Sequence, residues 1–331
     1  MKNNLKGVKT VNTHFVLGIF LLLSLLFIGF PLKAAKEPIE PAGDFAYART
    51  SYFTTRDGLK IYYQEVWPLQ EVKGIVLFFQ GIGGGGARSF FSDAMVANGY
   101  GTIIVHQRGT GYSEGKRGDM ESFDPVVEDY KELIALVNKE YPEIPVFICG
   151  HSLGGSIGVR LAAEETPGIA GLILVNPGTK LIQPESSFRE KIYWFFNYIF
   201  RRSEPIISLI PEGIEHEGDQ KEIEQWKNDP LTLDKMSIRY GLAALRVMES
   251  CVTNAYLADW PLLLVYGEED EVIEHASATE EMFAVWRCAD KTRIVVPGAG
   301  HGWEITKQVW SDVLTWLNKH AGKTVHGKIQ E

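Results

Sequence analysis

The sequence predicts an α/β fold, with a mostly parallel central sheet, helices on both faces and an inserted helical cap. Short runs rich in Val, Ile, Leu and Phe alternate along the chain with segments whose apolar residues recur at helical spacing. That alternation is typical of a parallel sheet buried on both faces. The 331 residues, 45% of them hydrophobic and 23% charged, suffice for one large core with an insertion or for two small domains.

The strands and helices of this core are predicted from local pattern. Apolar, β-branched runs bounded by turn residues predict strands over residues 59–65, 74–79, 102–106, 146–149, 171–175, 262–266 and 292–296. Apolar positions three or four residues apart predict helices over residues 90–98, 125–141, 156–165, 276–287 and 306–319. The core therefore covers residues 37–178 and 260–322, followed by a tail over 323–331.

Residues 179–259 interrupt this alternation. Aromatic sequence with helical spacing from Ile192 to Phe200 is followed by a stretch containing Pro and Glu and then by a predicted helix over 233–251. The insertion joins a strand ending at Val175 to one starting near Leu262, so it lies at the sheet edge where functional loops gather. We therefore expect a helical cap over the site.

The first 36 residues form a separate membrane-targeting segment. Three lysines without an acid precede the apolar run of residues 15–32. Basic residues before the run favour a cytoplasmic N-terminus and a body on the far side of the membrane. Leu32 and Lys33 make a poor cleavage site, which favours an uncleaved signal-anchor. Cleavage would instead leave a secreted or periplasmic protein, and that alternative stays open.

Charge and cysteine content exclude other classes. The net charge is −9 and no basic stretch interleaved with aromatics occurs, which argues against a nucleic-acid partner. Of three cysteines, Cys149 ends an apolar run, so no disulfide framework is indicated, although a Cys251–Cys288 bridge stays open. The oligomeric state is not indicated.

A serine motif follows the predicted strand over 146–149. Gly150-His151-Ser152-Leu153-Gly154-Gly155 stands between this strand and a helix, which is the context of a nucleophile elbow. A serine on so sharp a turn has a strained backbone, and the residues two before and two after it crowd together. Gly150 and Gly154 meet that demand. Ser152 is the predicted nucleophile.

A glycine-rich loop, Gln80-Gly81-Ile82-Gly83-Gly84-Gly85-Gly86, follows the predicted strand over 74–79. In a hydrolase it would supply one oxyanion-hole amide, from Ile82, while Leu153 supplies the other. The glycines also fit a dinucleotide fingerprint, which needs an acid at the end of the next strand, where His106-Gln107-Arg108 stands instead. A plain flexible turn is a third interpretation. We favour the oxyanion role.

The base and its partner are predicted from loops later in the chain. His301 lies in the glycine-rich loop 297–302, after a strand and before the last helix. Asp270 follows the strand over 262–266, and the order Ser, Asp, His is that of a hydrolase triad. Glu269 and Glu271 are alternative positions for the acid. This chemistry requires no metal or cofactor, and no cluster with metal-ligand spacing occurs.

These motifs resemble the monoacylglycerol lipase and lysophospholipase group of α/β-hydrolases, also called serine aminopeptidase-like hydrolases. The similarity runs from about residue 52 to 319. It rests on Arg108-Gly109-Thr110-Gly111-Tyr112-Ser113-Glu114-Gly115, on the serine motif, on Asn228-Asp229-Pro230-Leu231, on residues 267–270 and on Gly300-His301. The group usually has His-Gly in place of Gln80-Gly81 and Asp in place of His106, so substrate choice is expected to differ.

The resemblance implies a carboxylic ester hydrolase for single-chain lipids, either monoacylglycerols or lysophospholipids. A peptidase of the serine aminopeptidase type, a small-ester esterase and a catalytically idle, membrane-tethered binding protein are the alternatives. Aromatic residues of the cap would line an acyl channel, contact the bilayer or pack as cap core; they are Tyr193, Trp194, Phe195, Phe196 and Phe200.

Overall fold

The computed structural model describes residues 47–84, 90–164, 166–182, 188–210, 217–303 and 305–322. Its strands are β1 (Tyr47–Thr54), β2 (Lys60–Trp67), β3 (Gly74–Phe79), β4 (Tyr100–Val105), β5 (Val146–His151), β6 (Ile169–Val175), β7 (Pro205–Ser208), β8 (Lys235–Ser237), β9 (Leu262–Gly267) and β10 (Lys291–Val296). The helices are α1 (Phe90–Ala97), α2 (Asp124–Glu140), α3 (Leu153–Ala163), α4 (Phe188–Arg201), α5 (Glu217–Asn228), α6 (Ile238–Glu249), α7 (Cys251–Ala255), α8 (Glu280–Val285), α9 (Ile305–Gln308) and α10 (Trp310–His320).

Eight of these strands form one sheet in the order β1-β2-β4-β3-β5-β6-β9-β10. The pairs β1–β2 and β2–β4 are antiparallel, and every other neighbouring pair is parallel. The predicted mostly parallel sheet is thereby confirmed. Since parallel strands end at a common edge, the loops after β3, β5, β9 and β10 meet there.

Alternate residues of the central strands bury opposite faces of the sheet. In β3, Leu77 packs in the core that includes helices α2, α3 and α6, whereas Phe78 packs with α1 and α10. Both side chains are at most 1% exposed. A strand covered on both faces has no polar side, which explains why these runs are continuously apolar.

Several boundaries differ from the sequence predictions. The edge strand β1 was not predicted; it pairs with β2 over its whole length from Tyr47 to Thr54. The helix predicted over 276–287 begins as a π-helical turn, His275–Thr279, and continues as α8. The last predicted helix is divided at Val309 into α9 and α10. Helix α3 starts at Leu153, directly after the serine.

The inserted region holds more than the predicted helices. Besides α4 and α6 it contains α5 and a small antiparallel pair, β7–β8. The helix predicted over 233–251 is wrong at its start, because residues 235–237 form β8 and Ser237 then caps α6 by accepting the Tyr240 amide.

Charge pairs and backbone hydrogen bonds tie the insertion to the core. Arg239 of α6 reaches the buried carboxylate of Asp119 with two nitrogens, and its Nε lies 2.6 Å from Oδ1. The Arg117 side chain donates to the carbonyls of Pro230 and Thr232, and the Gly111 amide donates to Leu231. The Asn228–Leu231 motif is therefore a contact segment between insertion and core.

The predictions for the two ends of the chain and for the cysteines have different outcomes. The membrane-targeting segment 1–36 and the tail 323–331 lie outside the described residues. Within the part of the chain that is described, no helix is both long and apolar enough to span a bilayer. All three cysteines are free, so the Cys251–Cys288 bridge does not form; Cys251 is fully buried, where its nearest partners are backbone carbonyls.

Candidate active site

Ser152 stands at a sharp turn between β5 and α3. Its φ of 50° and ψ of −122° are rare for a residue with a side chain. A Cβ added to Gly150 would lie 2.6 Å from the Gly154 carbonyl oxygen, and one added to Gly154 would collide with the Phe79 carbonyl. Both positions therefore require glycine, as the elbow motif predicted.

The glycine-rich loop after β3 lies beside this serine. Phe79 pairs with Gly150 across the sheet, and a Cβ on Gly81 would be 3.3 Å from the Ser152 Cβ. Ile82 follows Gly81 directly. Leu153 is the first residue of α3, so its amide has no carbonyl partner within the helix. The two residues predicted as oxyanion donors are thus the sequence neighbours of Gly81 and of Ser152.

Asp270 and His301 are in direct contact. Asp270 Oδ2 lies 2.7 Å from His301 Nδ1, and its Oδ1 accepts the amides of Val272 and Ile273 at 2.8 Å each. Burial raises the pKa of Asp270, but hydrogen bonds from His275 and His301 outweigh it and hold that pKa below its ordinary value.

An ionised Asp270 accepts only, so His301 Nδ1 carries a proton and, in the neutral ring, Nε2 does not. That tautomer leaves a lone pair to take a proton from a nucleophile. The alternative acids Glu269 and Glu271 are exposed, and the carboxylate in contact with His301 is that of Asp270.

Two side chains fix the backbone around His301. Asn176, with φ of 44°, donates to the His301 carbonyl at 2.6 Å and accepts the Gly267 amide. His151 Nε2 donates to the same carbonyl at 2.8 Å. Burial lowers the pKa of His151 to about 3, with a smaller contribution from His301, so its ring is a neutral donor at ordinary pH.

Two further side chains contact the Asp270 and His301 pair, and sequence reasoning missed both. His275 Nε2 lies 2.8 Å from Asp270 Oδ2. Asp219 of the inserted helix α5 accepts the backbone amides of His301 and Gly302, each at 2.8 Å. A buried carboxylate from the insertion therefore holds the histidine loop. No spacing pattern in the sequence connects either residue to the pair.

The residue at the end of β4 has a structural role. His106 is 3% exposed, and its Nδ1 accepts the Tyr112 amide at 3.0 Å. The rings of Tyr62 and Tyr112 pack on it. Where a dinucleotide site would hold the ribose with a carboxylate, this chain packs a neutral imidazole into the core.

The aromatic residues of α4 are exposed. Phe200 is 74% exposed and Trp194 40%, with Tyr193, Phe195 and Phe196 between those values. Of the interpretations raised from the sequence, packing as cap core is therefore wrong for these residues. Contiguous exposed apolar surface of this kind marks an interaction site.

A sheet of this order, a strained serine after its central strand and a His–Asp pair at the same edge define an α/β-hydrolase. Residues 70–305 match the family model described as Hydrolase_4, Serine aminopeptidase, S33. The chain belongs to this family. The resemblance predicted from the sequence is confirmed, and the enzyme is an ester hydrolase of the lipase and esterase type.

The similar proteins include monoacylglycerol-cleaving enzymes of distant organisms. The monoglyceride lipase of Rattus norvegicus is 29% identical over 227 residues, which cover 65% of this chain and 73% of that protein. The monoacylglycerol lipase of Mycolicibacterium smegmatis is 25% identical over 273 residues, covering 80% and 94%. A soluble variant of Saccharomyces cerevisiae monoglyceride lipase, solved with a substrate analog, superposes with a TM-score of 0.69 at 22% identity, covering 86% and 99%.

Proposed function

We propose that the enzyme hydrolyses carboxylic esters of single-chain lipids, monoacylglycerols or lysophospholipids, through an acyl-enzyme on Ser152. The observation that carries the mechanism is the hydrogen bond of His301 Nδ1 to the buried Asp270 carboxylate, at the sheet edge where Ser152 occupies a strained turn. Together they supply a nucleophile, a base and an acid that fixes the base.

In the proposed first step, Ser152 Oγ attacks the ester carbonyl carbon while His301 Nε2 takes the hydroxyl proton. The carbonyl oxygen becomes an oxyanion between the amides of Ile82 and Leu153. Collapse of this tetrahedral intermediate breaks the bond between the carbonyl carbon and the alcohol oxygen. The alcohol leaves with the proton from His301. Water then attacks the acyl-enzyme by the same route, and the fatty acid and free Ser152 are released.

The preference for a lipid substrate is supported by the exposed aromatic face of α4. Helix α4 and helix α5 both belong to the insertion, and α5 contacts the His301 loop. A lipid aggregate bound to α4 would therefore lie on the same insertion that borders the site. Monoglyceride lipases among the similar proteins support the same substrate class. We therefore infer that the cap aromatics contact lipid.

Comparison of lipids with one and two acyl chains tests the substrate. Each methylene buried contributes about 0.8 kcal/mol, but a second chain must remain outside a covered site or displace the cap. We expect kcat/KM for monoacylglycerol or lysophospholipid to exceed that for the matching diacyl lipid in the same detergent. Equal use of diacyl lipids, or a preference for aminoacyl amides over esters, would contradict this substrate and leave the enzyme class intact.

We also propose that residues 1–36 remain attached and hold the enzyme at a membrane, with the catalytic body on the extracytoplasmic side. The lysines before an apolar run and the poor cleavage site support this. Sequencing the N-terminus of the native protein tests it: an intact start is expected, whereas a mature start near Lys36 would indicate a removed signal peptide and a secreted or periplasmic enzyme.

A further inference from the structure

His275 is a second histidine on the Asp270 carboxylate. Its Nε2 lies 2.8 Å from Asp270 Oδ2, the same oxygen that His301 Nδ1 contacts at 2.7 Å. Because an ionised carboxylate can only accept, both rings donate to one oxygen. We propose that His275 is a positioning residue that orients Asp270 and lets His301 stay unprotonated at lower pH than Asp270 alone would allow. The proposal rests on the Ser152, His301 and Asp270 triad proposed above.

A chain of two hydroxyl groups continues from the other nitrogen of the His275 ring. His275 Nδ1 lies 2.9 Å from Thr279 Oγ1, which in turn lies 2.5 Å from Thr179 Oγ1. With Nε2–H directed at Asp270, Nδ1 of the neutral ring accepts from Thr279, and Thr279 accepts from Thr179. All three side chains are buried. The Asp270 carboxylate therefore sets the donor at Nε2, and the two buried hydroxyl groups complete the hydrogen bonds at Nδ1.

The local backbone and a stacked ring hold His275 in position. The residue begins the π-helical turn His275–Thr279, five positions after Asp270. The ring of Tyr266, from β9, stacks on the imidazole with a centroid distance of 4.5 Å and an interplanar angle of 27°. A packed ring loses little further freedom on making its hydrogen bond, which is what a positioning contact requires.

A donor on Asp270 Oδ2 changes the electrostatics of the pair. The N–H of His275 stabilises the carboxylate charge that would otherwise act on an imidazolium at His301. With less of that charge acting on it, His301 becomes neutral, and therefore active as a base, at lower pH with His275 present than without it.

Three ionisable groups near His275 and His301 keep a constant charge in this range. Burial raises the pKa of Tyr266 to about 12, and burial likewise raises the pKa of Cys251, on the neighbouring helix α7, to about 12. His151 stays neutral because burial lowers its pKa to about 3. Two carboxylates of the same segment are ion-paired, Glu280 with Arg293 and Glu274 with Lys180.

Three substitutions in the full-length enzyme separate the donor from the bulk of the ring. His275→Phe and His275→Asn remove the donor at Nε2, and His275→Gln places an amide N–H in its position. The measurement is kcat/KM for a short p-nitrophenyl ester from pH 5 to 8, with active enzyme counted by fluorophosphonate titration. We expect the acid limb of the Phe and Asn variants to move up by about 0.5 to 1 pH unit, and that of the Gln variant to stay within about 0.3 unit of wild type.

His320→Phe is the matched control. His320 is also a nearly buried histidine on a carboxylate, with Nε2 3.1 Å from Asp290 Oδ2. Asp290 directly precedes β10, at the sheet edge opposite Asp270. The acid limb of the His320→Phe variant should coincide with that of wild type. The proposal is overturned if the limbs of His275→Phe and His275→Asn also coincide with wild type, or if His275→Gln shifts as far as they do. Full turnover by a Ser152→Ala variant would instead overturn the triad itself.

Discussion

At the residue scale, the strained backbone of Ser152 is held by its neighbours. A side chain at this φ and ψ costs on the order of 1–3 kcal/mol. The Ser152 carbonyl accepts the amides of Gly155 and Gly178 at 2.9 and 2.8 Å, and its own amide donates to Val175. These three hydrogen bonds over-determine the turn, so the serine is presented at the sheet edge before substrate arrives.

His151, next to Ser152, makes the stability of the fold depend on pH. Its folded pKa of about 3 lies below the 6.5 of an unfolded chain, because burial disfavours the charged ring. Between these two pKa values the unfolded chain binds a proton that the folded protein does not, so lowering the pH favours unfolding. The contribution is complete above pH 6.5, and the free energy of unfolding falls by about 1.4 kcal/mol per pH unit below it.

His151→Gln keeps an N–H donor for the His301 carbonyl and removes this titration. Between pH 7 and pH 5 we expect the variant to gain about 2 kcal/mol in stability relative to wild type. Urea unfolding of both proteins at the two pH values measures it. An equal difference in stability at both values would show that His151 titrates normally in the folded protein.

Sequence reasoning found the residues that follow strands and missed those that reach in from elsewhere. Ser152, Asp270 and His301 each stand in a short loop after an apolar run, which places them at one edge of a parallel sheet. Asp219 lies 82 positions from His301, in a segment with no such marker. His275 lies close to Asp270 in sequence, but only the π-helical turn directs its ring back to the carboxylate.

At the element scale, helix α5 connects the insertion to catalysis. Asp219 is 6% exposed and holds the amides of His301 and Gly302. Asp219→Ala removes both acceptors, so the imidazole loses its fixed position. We expect kcat on a short soluble ester to fall about tenfold or more, with KM changed less.

Glu224→Ala is the control for this prediction, because Glu224 lies on the same helix with its side chain 67% exposed. Its kcat should match wild type. If the kcat of Asp219→Ala is also unchanged in folded protein, the contact between α5 and the histidine loop has no part in catalysis.

The exposed face of α4 predicts a difference between dissolved and aggregated substrate. Phe200→Glu replaces a side chain that is 74% exposed, so the fold should be unaffected. Burying such a ring in lipid contributes about 1.5–3 kcal/mol. We expect binding to phosphatidylcholine vesicles and turnover of vesicle-borne monoacylglycerol to fall about tenfold, while hydrolysis of a short soluble ester stays constant.

Leu69→Glu tests whether replacing any exposed apolar residue with Glu would weaken vesicle binding. Leu69 is 65% exposed and lies before β3, at the edge away from Ser152. Vesicle binding by this variant should match wild type. A loss as large as that of Phe200→Glu would mean that α4 is not the lipid contact.

The sequence predicted the strands and helices whose burial requires a regular pattern of apolar residues. It did not predict the elements without such a pattern. The central strands are covered on both faces and show as continuous apolar runs. Helix α5 has few apolar residues to mark a face, and β7 has only four residues, so neither carried a detectable period. Apolar and polar residues alternate only weakly along β1, which is the edge strand of the sheet.

At the scale of the whole molecule, strand order assembles the site. Phe79 of β3 pairs with Gly150 of β5, and Gly267 of β9 pairs with Val296 of β10. The loop after β3 therefore adjoins Ser152, and the Asp270 loop adjoins the His301 loop. The fold class and this common edge followed from the sequence, since parallel topology alone brings distant loops together. The contacts of the insertion depend on side-chain packing that no local pattern encodes.

Replacement of the nucleophile tests the account most directly. Ser152→Ala and, as a control, Ser311→Ala at an exposed serine of α10 are compared with wild type for kcat/KM on a p-nitrophenyl ester and for fluorophosphonate labelling. The account predicts that Ser152→Ala keeps the wild-type unfolding temperature, is not labelled and loses at least about 10³-fold in kcat/KM, while Ser311→Ala behaves as wild type. Labelling or turnover retained by folded Ser152→Ala would contradict the assignment of Ser152 as the nucleophile.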